Sequence, residues 1–85
     1  MGVAIGVDSH KSSLAAAALD ELGRVVGAGE FSNDLPGHQS SLRWASTQGE
    51  GRVIGIEGAG SYGAGLARHL LEAGEVVYEV PAFLS

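Results

Sequence analysis

The stretch from Ile54 to Val80, IGIEGAGSYGAGLARHLLEAGEVVYEV, constrains the fold more than any other part of the chain. It predicts an apolar strand, a glycine-rich turn, a helix and a second strand. Two strands joined through a helix can lie parallel in one sheet, so this segment alone argues for an α/β fold. The first strand should span Arg52 to Glu57 and, being mostly apolar, should sit centrally in the sheet. Ser61 is placed to cap the helix, Leu66, Leu70 and Ala73 form its inward stripe, and Gly74 ends it. Val76 to Val80 is the closing strand, stopped by Pro81.

Upstream, Val3 to Asp8 alternates Val3, Ile5 and Val7 with Ala4, Gly6 and Asp8, the period of a strand. The face that carries Asp8 holds small residues. Ser9 to Ser12 reads as a turn. Ser13 to Leu19 (SLAAAAL) admits a short alanine-rich helix, but its position between turn signals favours a strand, followed by another from Val25 to Phe31. Asn33 or Asp34 can cap a helix with Pro36 in its first turn, running to about Gln48 with Leu35, Leu42 and Ala45 inward and Gly49 beyond its end. The expected architecture is a mixed five-stranded sheet in the order 3-2-1-4-5, with the second strand antiparallel to the first.

Composition limits the chemistry. The chain of 85 residues contains no cysteine, which removes disulfides and thiolate metal sites. A domain this small buries only about 60 to 65% of the surface its unfolded chain exposes, so its stability should be marginal. Ten acidic residues against five basic ones leave a net charge of -5, and Lys11, Arg24, Arg43, Arg52 and Arg68 are scattered singly. Charge therefore offers no argument for nucleic-acid affinity, which rests on clustered basic side chains. With no apolar run long enough for a membrane and no signal-peptide pattern, the expectation is a soluble cytoplasmic protein.

Two functions can be read from the glycine turn. Gly58, Gly60 and Gly63 form G-x-G-x-x-G between strand and helix, and Glu79 follows about 20 residues on, the pattern of a dinucleotide-binding module. Against it, Glu57 immediately precedes the first glycine, where its charge would oppose a pyrophosphate. The turn also lies far from the start of the chain, and Asp8 ends the first strand without a task in such a site. The other reading centres on Glu57. If the first and fourth strands are parallel neighbours about 4.8 Å apart, Asp8 and Glu57 emerge side by side at the carboxyl edge of the sheet. Two such acids repel, which implies either a shared divalent cation or a raised pKa on one of them. The glycines then serve as a tight exit from the strand.

The segments VAIGVDSHKSSLAAAALDELGRVVGAGEFSND, PGHQSSLRWA and VIGIEGAGSYGAGLARHLLEAGEVVYEVP resemble the N-terminal domain of the DEDD transposases of bacterial insertion sequences. The resemblance covers essentially the whole chain and rests on G-[IV]-D-x-x-K near the start and E-x-x-G-x-Y some fifty residues later. It implies a RuvC-like, ribonuclease H-like fold, with the family's first aspartate at Asp8 and its glutamate at Glu57. Lys11 and Tyr62 match the accompanying positions. It further implies a recombinase that uses Mg2+ (or Mn2+) to cut and join DNA, acts as a homo-oligomer, carries a C-terminal transposase domain with a nucleophilic serine and, in some members, uses a guide RNA. The family's remaining two aspartates would fall beyond Ser85. Residues 1–85 are thus expected to be an incomplete catalytic domain that lacks the final helix, binds metal weakly and transfers no strand unaided. One sheet face should be left partly bare, which favours self-association.

The smaller signals are mixed. His10, His38 and His69 show no ligand spacing and are expected to be solvated. Lys11 either holds a phosphate or neutralises Asp8. Tyr62 either stacks on a base or, as the plainer expectation, packs at the helix start. Trp44 belongs to the core or faces a partner.

Overall fold

The computed structural model describes residues 2–81. The elements are β1 (Ala4–Ser9), β2 (Ser13–Leu19), β3 (Val25–Ser32), α1 (Leu35–Ser46), β4 (Val53–Glu57), α2 (Ala64–Glu72) and β5 (Val77–Val80). They build one five-stranded sheet in the order β3-β2-β1-β4-β5. β1 pairs antiparallel with β2 and parallel with β4, and β4 pairs parallel with β5. This is the sheet order that the residue pattern predicted, and it is the ribonuclease H-like arrangement that the family resemblance implied.

SLAAAAL is strand β2, and the helical alternative is excluded. Leu14, Ala16 and Ala18 are buried in alternation, so burial on one face outweighs the intrinsic helix propensity of alanine. Ile5 and Val7 of β1 and Ile54 and Ile56 of β4 face the same way and join Ala45 of α1 and Leu66 and Leu70 of α2 in a single core. Both helices therefore lie on one side of the sheet, as two right-handed crossovers that step in the same direction require. The opposite face carries Gly6, Ala15, Ala17 and Gly55, and no element of the described chain covers it.

Helix α1 begins at Asp34, whose carboxylate accepts from the Gly37 N–H, with Pro36 in the first turn. Its buried stripe is Gly37, His38, Ser41 and Ala45. Leu35, expected to face inward, is exposed, and Leu42 is only partly buried. Gly37 packs against the end of β3, where a Cβ would run into the Ser32 carbonyl oxygen. That close approach needs the Gly37 side of α1 turned inward, which leaves Leu35 on the outer side. Trp44 packs on Phe31 with ring centroids 5.8 Å apart, which settles it as a flank of the core.

Helix α2 starts at Ala64 with Gly63 at its N-cap and no side-chain cap. Ser61 is not the cap; its hydroxyl instead donates to the Gly58 carbonyl inside the preceding turn. Ala73, expected on the inward stripe, is exposed, because the helix already ends at Glu72. Gly74 adopts φ 87°, and the Gly74 and Glu75 N–H groups return to the carbonyls of Leu71 and Leu70, a Schellman stop. Arg52 grips Glu75 through two parallel bonds of 2.9 and 2.6 Å, tying the start of β4 to the entry of β5. No helix among the described residues is long and apolar enough to cross a membrane.

Candidate active site

Asp8 and Glu57 are register partners across the parallel β1–β4 pair. Ile5 and Val7 commit alternate β1 residues to the core, so Asp8 must point to the open face; Ile54 and Ile56 impose the same on Glu57. The two carboxylates thus leave adjacent strands at the same edge and on the same side. They contribute to the lining of a shallow depression of about 340 Å3 whose floor includes Gly6, Ala15, Ala17 and Gly55.

The loop after β4 is bound to the end of β1. The Ser9 hydroxyl donates to the Glu57 carbonyl. Gly58 turns the chain with φ 79°, and a Cβ there would stand 2.7 Å from the Ser9 oxygen. A Cβ on Gly63 would meet Ile56 at 2.7 Å and the Gly58 carbonyl at 2.9 Å. These two glycines are required by close packing of the loop against the sheet.

That geometry removes the support for a dinucleotide module. The Ser61 and Gly63 N–H groups both donate to the Gly58 carbonyl, and the Ala64 N–H donates to Ser61. Three backbone donors at the entry to α2 are thus engaged within the turn and withdrawn from a pyrophosphate. Glu79 lies beside the turn, its carboxylate 3.7 Å from the position of a Cβ on Gly60, and adds a second negative charge there.

Other side chains complete the edge. His10, expected to be merely solvated, places Nε2 3.1 Å from the Asp8 carboxylate, with both side chains about half exposed. Lys11 is exposed in the same turn and forms no ion pair among the described residues. Tyr62 is 56% exposed, so its ring does not pack at the helix start. His38, also expected to be solvated, is 8% exposed between α1 and α2, its ring centroid 6.3 Å from that of His69. Burial holds the His38 imidazole below its ordinary pKa; neighbouring His69 acts in the same direction and Asp34 opposes it.

Among the described residues no group of three histidine or acidic side chains is gathered for a metal ion. The available donor set is a pair of carboxylates on an exposed edge. Such a pair suits Mg2+, which retains several waters and commonly takes only one or two carboxylate ligands.

The sequence profile of the IS110-type DEDD transposases, described as a transposase, matches residues 5–84. The chain belongs to this transposase family. Comparison with curated proteins finds no match. Among solved structures, the transposase chain is similar to the type II variant of the Aquifex aeolicus Ppx/GppA phosphatase, with TM-score 0.52 and 10% identity, over 96% of this chain and 36% of that one. A second structure of the Aquifex aeolicus Ppx/GppA family aligns with TM-score 0.47 and 11% identity, over 94% of this chain and 35% of that one. The transposase chain therefore spans about a third of these structures, and at 10% identity the likeness to the first is one of fold alone.

Proposed function

We propose that this chain supplies the first half of the catalytic centre of a transposase that cuts and joins DNA by Mg2+-dependent phosphodiester chemistry. The parallel register that sets Asp8 beside Glu57, in a chain of the transposase family, carries this reading. Asp8 and Glu57 are the proposed ligands. A divalent cation bound there would stabilise charge on the oxygens of the reacting phosphodiester. The edge without a cation is acidic, with Asp8 beside Glu57, and would repel a DNA backbone. Lys11 and Tyr62, both exposed on the loops that follow the two strands, are the proposed contacts to a phosphate and a base. His10 pairs with Asp8 and keeps that carboxylate directed over the edge.

Two carboxylates without further protein ligands imply weak cation binding, and the remaining family aspartates are proposed to come from residues outside this chain. DNA is the proposed partner of the whole protein, acting as a homo-oligomer, and a guide RNA belongs to the same proposal.

A thermal melt of the chain in Mg2+, Mn2+ and NAD tests it. The expected result is a rise in Tm with millimolar Mn2+ that disappears in Asp8→Asn and in Glu57→Gln. A response to NAD alone, or an Mn2+ response unchanged by both substitutions, would overturn the assignment.

A further inference from the structure

Between the end of β3 and the cap of α1 stands Asn33, a residue whose sequence context suggested at most a helix cap. Asp34 performs that task, which frees the Asn33 side chain. Its amide nitrogen donates at 2.8 Å to the carbonyl of His10, in the loop after β1, and at 2.8 Å to the carbonyl of Tyr62, in the loop after β4. Its amide oxygen faces His38 Nε2 at 2.8 Å. The Asn33 backbone N–H donates at 3.0 Å to the Ser12 carbonyl, a second hold on the first loop.

The network has one consistent assignment. Both carbonyls accept, so the amide nitrogen must face them, and the amide oxygen then requires the proton on His38 Nε2. His38 is buried and its burial favours the neutral ring, which can donate from Nε2. A reversed amide would set its oxygen against two carbonyl oxygens.

From this geometry we infer that Asn33 is a positioning residue for the Asp8–Glu57 pair. The inference rests on the reading of that pair as a metal site. Glu57 is the last residue of β4 and Asp8 the last but one of β1, and the Asn33 side chain is a crossbrace between the loops that follow them. The Ser9 hydroxyl, which donates to the Glu57 carbonyl, ties the same two strands at their ends. His38 acts behind Asn33, fixing the amide so that both of its donors point outward.

The test uses the 15N-labelled chain with two independent readouts. Amide hydrogen exchange is followed at His10, Ser61 and Gly63, whose N–H groups close the two loops, with Ile54, bonded to Val76 across the sheet, as the internal control. Free Mn2+ is titrated by electron paramagnetic resonance. In Asn33→Ala, exchange should accelerate roughly tenfold or more in both loops but not at Ile54, and the Mn2+ Kd should rise about 10-fold, the lower end of the effect of outer-sphere partners. Asn33→Asp keeps the volume but lacks both donors, so it should behave like Asn33→Ala; a residue that only fills space would tolerate it. His38→Gln retains a donor and should remain near wild type in both readouts.

Faster exchange in one loop only, wild-type behaviour of Asn33→Asp, or an unchanged Mn2+ Kd with both loops loosened would each overturn the positioning role. If the wild-type chain itself binds no Mn2+, the metal reading fails, and the crossbrace is judged on exchange alone. Should Asn33→Ala fail to fold, Asn33→Asp carries the same comparison.

Discussion

The two faces of the sheet are made from the same strands and differ in almost everything else. On β1, Ile5 and Val7 enter the core while Ala4, Gly6 and Asp8 stay exposed; on β4, Ile54 and Ile56 are sealed while Gly55 and Glu57 remain partly open. The covered face holds the apolar area that stabilises the domain, with Leu14, Ile54, Ile56 and Leu66 all below 2% exposure. Each such side chain contributes about 1.5 to 3 kcal/mol by leaving water. The open face contributes little of that kind and instead presents two carboxylates over a floor of glycine and alanine. Alternation lets one short strand serve both ends: burying Ile56 is what aims Glu57 outward.

The sharpest way to break this contrast is to remove a covered side chain. Ile56→Ala should cost about 3 to 4 kcal/mol through lost burial and a cavity, a large share of the stability of so small a domain, and urea denaturation would show it as a collapse of the midpoint. A loss below 1 kcal/mol would mean that the core does not rest on this face.

The seam between the faces comes next. Gly63→Ala forces a Cβ against Ile56 and the Gly58 carbonyl and should cost about 2 kcal/mol, whereas Gly60→Ala, with its nearest neighbour at 3.7 Å, should stay within about 0.5 kcal/mol. Equal effects at the two glycines would show that packing does not dictate the turn.

A smaller effect concerns pH. The unfolded chain protonates His38 near its ordinary value of 6.5, while the folded chain, with a lowered pKa, does so only at lower pH. The unfolded state therefore binds more protons in that interval, and stability should fall as pH drops below about 6.5 and stop falling once the folded His38 also titrates. His69 and Asp34 are the ionisable groups that act on it. Equilibrium unfolding between pH 7 and 5 should show this slope, and His38→Gln should flatten it.

The gentlest probe lies on the open face. A Cβ on Gly6 meets nothing within 4 Å, so Gly6→Ala should leave stability unchanged or raise it by about 0.5 kcal/mol through lower chain entropy in the unfolded state. A destabilised Gly6→Ala would show that the face is more tightly occupied than it looks.

Much of this was legible beforehand where a residue's role follows from its own neighbours in the chain. Period-two alternation marked β1, and a strand, a glycine turn and a helix in succession set β4 and α2 and brought Asp8 and Glu57 to one edge. Roles that depend on a contact outside any helix or strand period were not legible. Leu35 was assigned inward by helical spacing, but the spacing does not contain the Ser32 carbonyl that Gly37 approaches. Ser61 looks like a cap until Gly58 claims its hydroxyl. An isolated histidine has no period at all, so neither the burial of His38 nor the pairing of His10 with Asp8 left a signal in the sequence.

By itself, then, the sequence determined the strand order, the choice of α/β layers and the pair of acids, because periodicity and turn chemistry act over a few residues and survive without knowledge of the rest. Tertiary structure alone decided the rotation of α1, the engagement of the glycine-turn amides and the bridging role of Asn33. The Asn33 bridge joins segments far apart in the chain, while the other two turn on close contacts within a few residues; in each, packing that no periodic pattern encodes chose among the alternatives.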